Sequence, residues 1–201
     1  MGDVWDDTAS RKYYDSELPT RVGRPVAKQR ANRLGWFIEA CAERHLSTVI
    51  EVGSGAGRDG VQLRRGGLVY TGVDLSEVGA ALCRGFGLDT VVASATDLPF
   101  SDDSFDAGWS MSTLMHLRED QFTRAIAELH RVLRPGGLLA LGLWGSSDAR
   151  TRIDEHGRRF QQQTDNQVRI ALNAVGDLIE FDTWDWFDDG GHYQWAAVRV
   201  H

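Results

Sequence analysis

The residues in this chain whose types and spacing suit chemistry are concentrated between positions 51 and 74. Glu51-Val-Gly53-Ser54-Gly55-Ala-Gly57-Arg58 follows an apolar run, and Val69-Tyr-Thr-Gly-Val-Asp74 closes the unit. The order is a buried strand, a glycine-rich turn, a helix start and a second buried strand ending in a carboxylate. Such a unit receives the adenosine end of a nucleotide-like cofactor, because glycines let backbone approach the ligand with no Cβ in the way. Asp74 stands about twenty residues beyond the turn, the interval at which an acid meets a ribose, and a carboxylate there accepts from both ribose hydroxyls. The competing reading of Asp74 is a strand-end residue capping the next helix at Ser76.

The glycine spacing discriminates between cofactors. A dinucleotide fingerprint needs its third glycine one residue later, where Arg58 stands. Glu51, inside the strand before the turn, would repel a pyrophosphate but suits the ammonium of an amino acid, reached through a bridging water. The chemistry therefore points to S-adenosylmethionine rather than NAD.

The elements that must position these residues follow from pattern. Leu34, Phe37, Ile38 and Cys41 recur at helical spacing and predict a helix from Pro25 to about Cys41. Strands are predicted at Thr48–Val52, Val69–Val73, Thr90–Ala93, Phe105–Trp109, Leu138–Leu143, Leu178–Thr183 and Tyr193–Val200. Phe122, Ile126, Leu129 and Leu133 form one face of a helix from about Asp120, which meets a turn at Arg134-Pro135-Gly136-Gly137. Alternating strands and helices predict a parallel sheet covered on both faces. Only Asp188-Asp189-Gly190-Gly191 separates the last two strands, so they should pair as an antiparallel hairpin. The fold class expected is α/β, a Rossmann-like, seven-stranded, mostly parallel sheet in one domain over 1–201. Residues 1–33 form an N-terminal arm or lid, and 145–176 a substrate-side segment.

Composition narrows the partners. The 201 residues carry a net charge of −7, are 42% hydrophobic and 25% charged, and suit one soluble globular domain. An acidic chain is a poor match for a phosphate backbone, which speaks against nucleic acid as substrate. No apolar run is long enough for a membrane span, and the acidic first residues do not resemble a signal peptide. Cys41 and Cys83 follow no metal spacing, so reduced thiols in a cytoplasmic protein are the expectation. Oligomeric state is left open.

Three blocks, in this order, resemble a known family: Glu51–Gly57, Ala95-Thr96-Asp97-Leu98-Pro-Phe-Ser-Asp-Asp-Ser-Phe-Asp106, and Leu129-His-Arg-Val-Leu-Arg-Pro-Gly-Gly137. Over about residues 34–144 the chain resembles the small bacterial class I S-adenosylmethionine-dependent methyltransferases. The resemblance implies that Asp97 accepts from the adenine amino group, with Ala95 or Thr96 contributing backbone and Leu98 flanking the ring. A turn-forming Asp97 is the alternative. Leu75 would pack on the adenine face, and Ser110 and Met111 would pass beside the methionine moiety at the carboxyl edge of the sheet.

Methyl transfer from a sulfonium is an in-line displacement, and much of its rate comes from placement. His116 is the candidate general base, with a packing role as the alternative. Tyr14 in the N-terminal arm is a candidate for closing the cofactor site, and Arg58 for its carboxylate. Trp144, Arg150, Arg152 and Phe160, with Arg21 and Arg24, are candidates for an anionic acceptor, against the alternative of a solvated charge run. The function expected is methyl transfer to oxygen or nitrogen of a small molecule, such as a bacterial metabolite. A non-catalytic S-adenosylmethionine-binding module and a protein or RNA methyltransferase remain the alternatives.

Overall fold

A computed structural model describes residues 8–185 and 191–201. Nine strands and six helices follow in the order α1 (Thr8–Arg21), α2 (Lys28–Glu43), β1 (Thr48–Val52), α3 (Arg58–Arg65), β2 (Val69–Asp74), α4 (Glu77–Gly85), β3 (Asp89–Val92), β4 (Phe105–Met111), α5 (Glu119–Val132), β5 (Leu133–Trp144), β6 (Arg150–Ile153), β7 (Arg159–Gln162), α6 (Asp165–Asn173), β8 (Gly176–Asp185) and β9 (His192–Val200). A single 3-10 turn, Leu114–His116, lies between β4 and α5.

Seven strands form one sheet in the order β3-β2-β1-β4-β5-β9-β8, parallel through β5 and antiparallel at β9 and β8. The Rossmann-like sheet and its closing hairpin are therefore as expected. The turn proposed at Asp188–Gly191 falls mainly outside the described residues. β1 and β4 are buried along nearly their whole length because helices cover both faces. One face packs Phe122, Ala125, Ile126 and Leu129 of α5 against Ile50, Val52, Leu139 and Leu141. The other packs Leu34 and Phe37 of α2 and Leu63 of α3 against Val49 and Trp109.

Three elements differ from expectation. The N-terminal arm is a 14-residue helix, α1, with only Leu18 buried and Pro19 in its last turn. Segment 145–176 contains a second small sheet, the β6–β7 hairpin. And β5 begins at Leu133 rather than Leu138: Phe105 pairs with Leu133 and Ala107 with Leu138, so Arg134-Pro135-Gly136-Gly137 bulges out between two registered pairs. Gly136 supplies the left-handed conformation that bulge needs, at φ +83°.

Asp106 fastens the opposite, amino-terminal edge of the sheet. Its Oδ2 accepts the backbone N–H groups of Ser47 and Thr48 at 2.9 Å each and both their hydroxyls at 3.0 Å. Its Oδ1 pairs with Arg134 at the bulge. Burial pushes the Asp106 carboxyl up, but the Ser47 and Thr48 N–H donors and Arg134 outweigh it and hold the pKa well below the usual carboxylate range. A depressed folded-state pKa contributes stability above the unfolded value and loses it as pH falls. Asp106→Ala should therefore cost about 3 kcal/mol at neutral pH by urea denaturation, and the deficit should shrink as pH falls below about 4.

Candidate active site

The carboxyl ends of β1, β2 and β4 open into a cavity of about 520 Å3 roofed by α1 and walled at its far end by Trp144 and the β6–β7 hairpin. Parallel strands direct their loops to this edge, and the strand order reverses beside β1, which is where a cleft forms. The glycine turn makes the floor. Gly53 lies at φ +85°, and a Cβ there would run into the Thr113 side chain. The Gly53 and Ser54 N–H groups both donate to the Val73 carbonyl, at 2.8 and 3.1 Å.

Asp74 joins two of these loops. Its Oδ2 accepts from the Gly55 N–H at 2.7 Å and its Oδ1 from the Ser76 N–H at 2.8 Å, while the carboxylate lines the cleft. As the capping reading expects, it organises the turn into α4; its place on the cleft wall is where the ribose reading needs a carboxylate. Ser76 itself caps α4 by accepting from the Gly79 N–H at 2.9 Å.

Of the other candidates, Tyr14, Arg21, Gly53, Ser54, Gly55, Arg58, Leu75, Ala95, Met111, His116, Trp144, Arg152 and Phe160 line the cleft. The rest are placed elsewhere. Glu51 is buried and faces Tyr70, whose hydroxyl donates to it at 2.6 Å. Burial, with Asp59 nearby, raises its pKa well above the usual range, against the opposing Tyr70 bond. Gly57 packs beneath the turn against Cys83 and Leu88. Ser110 is buried and bonds the Val52 carbonyl at 2.8 Å, bracing β4 to β1.

Asp97 is exposed and does not line the cleft, Thr96 bonds Ser94, and Leu98 belongs to the core. The residues of that loop that reach the cleft are Ala93, Ser94 and Ala95. The adenine role implied for Asp97 is thus not supported by its position; Ser94 is the polar side chain that stands there. Arg24 turns back onto Glu17 and Thr20, and Arg150 bonds Gln162 in a separate hollow.

Two further polar centres are assembled by the fold: one from residues the sequence reading did not single out, the other by pairing two that it named apart. Arg30 of α2 reaches across to Asp59, with Nε at 2.8 Å and Nη2 at 2.7 Å from Oδ2, and the Trp109 indole N–H donates to the same oxygen at 2.8 Å. Asp59 Oδ1 and Ser54 Oγ are buried with no partner among the described residues. These orphaned oxygens and the Arg30 guanidinium ring the end of the cleft below the glycine turn. An amino acid's ammonium and carboxylate would complement both charges. With a diol acceptor at Asp74 and an apolar face at Leu75, the cleft fits each part of S-adenosylmethionine.

The second centre is a dyad at the far end. Tyr14 Oη lies 2.8 Å from His116 Nε2, and His116 Nδ1 lies 2.7 Å from the Arg159 carbonyl. A carbonyl only accepts, so Nδ1 carries the proton and Nε2 accepts the Tyr14 O–H. Burial lowers the His116 pKa to about 4, against the Arg159 bond and aided by the Arg158 guanidinium, so the ring is neutral near pH 7. Among the described residues no cluster of His, Cys, Asp or Glu is arranged to hold a metal ion, and no helix is long and apolar enough to cross a membrane. The difference between Asp74 and Asp97 is measurable: Asp74→Ala should weaken S-adenosylhomocysteine binding about tenfold or more by calorimetry, while Asp97→Ala should leave it within about twofold.

Residues 50–141 match the model of a methyltransferase domain. A methyltransferase named GfsG from Streptomyces halstedii is 39% identical over 151 residues, which is 66% of this chain and 53% of that protein. A tRNA (carboxymethyluridine(34)-5-O)-methyltransferase of Arabidopsis thaliana is 33% identical over 85 residues, 42% of this chain and 21% of its own length. The chain thus spans about half, or less, of the curated relatives it matches. Among solved structures, the N-methyltransferase NodS of Bradyrhizobium japonicum, in complex with S-adenosylhomocysteine, aligns with a TM-score of 0.74 at 17% identity, over 97% of this chain and 99% of its own. The cleft chemistry, the three sequence blocks and these similarities converge: the chain belongs to the class I S-adenosylmethionine-dependent methyltransferases.

Proposed function

We propose that this chain transfers a methyl group from S-adenosylmethionine to an oxygen or nitrogen of a small molecule held between α1 and the β6–β7 hairpin. The observation that carries this reading is the continuity of one cavity. The glycine turn and Asp74 form one end, and Tyr14, His116, Trp144 and Phe160 the other. A pure binding module has no use for a neutral, hydrogen-bonded Tyr–His pair facing the second half of its cleft. Against a tRNA substrate, which some relatives act on by name, stand the net charge of −7 and the helical roof over the cleft.

The bound cofactor supplies an electrophilic methyl group; the chain supplies placement and a path for a proton. In this reading Asp74 accepts from the ribose hydroxyls, Ser94 and the Ala95 backbone meet the adenine edge, and Leu75 covers its face. Arg30 pairs with the methionine carboxylate. The roof excludes water through Leu18, which lies over Gly55, and through Asp15, which bonds Ser76. Tyr14 spends its O–H on His116 Nε2 and accepts from the Arg158 Nη1–H at 3.4 Å, so one oxygen lone pair is the part left to accept from an acceptor O–H or N–H. As the new bond to the acceptor forms, that proton passes to the Tyr14 oxygen and the tyrosine proton moves to Nε2. Nδ1–H remains on the Arg159 carbonyl. For an oxygen acceptor a weak base suffices, because a methylated hydroxyl that keeps its proton is strongly acidic; a nitrogen acceptor must attack as the neutral amine, and its ammonium product loses its proton to water after release.

An assay of S-adenosylhomocysteine formation across a panel of hydroxylated and amino compounds tests this reading. The expected result is turnover with a small molecule, with kcat lowered about a hundredfold in Tyr14→Phe. The wild-type kcat should stay level from about pH 8 to pH 5, because His116 does not take up a proton until about pH 4. Turnover only with RNA, or a kcat that falls with a midpoint near 6.5, would contradict it.

A further inference from the structure

The acceptor end of the cleft is charged in a way the chain as a whole is not. The acidic side chains that line the cavity, Asp59 and Asp74, both lie at the glycine-turn end. At the other end the lining charges are guanidinium groups, Arg152 and Arg158 on the hairpin and Arg11 and Arg21 on the roof. Two of these are already engaged. Arg158 spends Nε and Nη2 on Asp154 at 2.8 and 2.6 Å, and Arg21 leans on Glu17 at 3.5 Å. Arg152 makes no ion pair among the described residues; its guanidinium lies 5.1 Å from the centre of the Phe160 ring. Phe160 stacks in turn on Trp144, with 5.9 Å between centroids and 29° between planes.

An unmatched guanidinium beside an aromatic wall specifies a ligand. The fork of N–H donors matches a carboxylate in a bidentate manner, and an apolar wall that displaces water lowers the local dielectric and strengthens the attraction relative to open water. The wall itself takes up a planar or apolar body. A sulfonium donor is also a cation, so the field of these arginines and the donor together disfavours a protonated amine as acceptor and favours an acid. We propose that the methyl acceptor is an organic acid, with its carboxylate held by Arg152, its apolar body against Phe160 and Trp144, and its nucleophilic atom toward Tyr14. This inference rests on the methyl-transfer reading of the cleft and names its substrate class.

The test uses the full chain saturated with S-adenosylhomocysteine, whose binding is measured first. Calorimetric titration then compares carboxylic acids with their primary amides: 4-hydroxybenzoate, 4-hydroxycinnamate and 3-hydroxydecanoate, each against the corresponding amide. The expected result is binding of at least one acid, about tenfold or more tighter than its amide, with the preference weakened by raising salt from about 0.05 to 0.5 M. Arg152→Gln should abolish the preference while leaving S-adenosylhomocysteine affinity unchanged; Arg152 is exposed, so this variant should fold. Amides binding as well as acids, a preference that survives Arg152→Gln, or no acid binding to the loaded protein would overturn the proposal and leave the cofactor reading intact. Failure of S-adenosylhomocysteine itself to bind would overturn both.

Discussion

The site depends on one carboxylate. Asp74 ends β2, and parallel pairing with β1, in register from Thr48↔Val69 to Val52↔Val73, delivers it to the same edge as the glycine turn. From there it takes the Gly55 and Ser76 N–H groups, so the turn into α3 and the turn into α4 are held by the same side chain. Burial raises its pKa against the pull of those two donors, so the folded chain supports the charge only because backbone dipoles are aimed at it. Removing the carboxylate would take a bond from both loops at once, leaving the glycine turn on its bonds to the Val73 carbonyl and Ser76 on its cap of α4.

Around that floor, the cavity is built from elements that make little core. α1 buries only Leu18, and the β6–β7 hairpin buries Phe160 and Gln162 on one face while β6 is exposed throughout. Apart from Leu18 over Gly55, α1 is held by polar contacts, Asp15 with Ser76 and Tyr14 with His116, and it meets the hairpin where Arg158 lies 3.9 Å from the centre of the Tyr13 ring. Elements held in this way sit at the low-stability end of a fold, where parts that admit and release ligands are found. In the proposed mechanism chemistry and access share the same few contacts, since the Tyr14 hydroxyl assigned to the proton path also fastens the roof to His116.

How much of this is legible in the sequence follows from which forces set each element. The central strands read directly, because a strand buried on both faces must be a continuous apolar run. The glycine turn and Asp74 read directly because backbone clearance and strand length fix their spacing. α1 does not read, since one buried leucine makes no periodic stripe. The hairpin Arg150–Gln162 does not read either, because β6 is exposed throughout and the buried face of β7 is one aromatic and one polar residue, Phe160 and Gln162, so hydropathy shows no alternation. The adenine role of Asp97 came from the family resemblance, and its exposed position outside the cleft does not support it. Strand register gives the better answer: Asp74 pairs with Val92, and the Ala93 N–H bonds the Asp74 carbonyl at 3.1 Å, so the next residue, Ser94, is level with the cleft. The Arg30–Asp59–Trp109 centre joins residues from two helices and a strand, and no local pattern announces it.

The central claim is that this cleft is built for a sulfonium-bearing amino acid nucleoside and not for a dinucleotide. The most direct test is parallel calorimetric titration of the chain with S-adenosylmethionine, S-adenosylhomocysteine and NAD. The account predicts binding of the first two at micromolar affinity, about −8 kcal/mol, and none of NAD. Binding of NAD, or no binding of either sulfur compound, would contradict it.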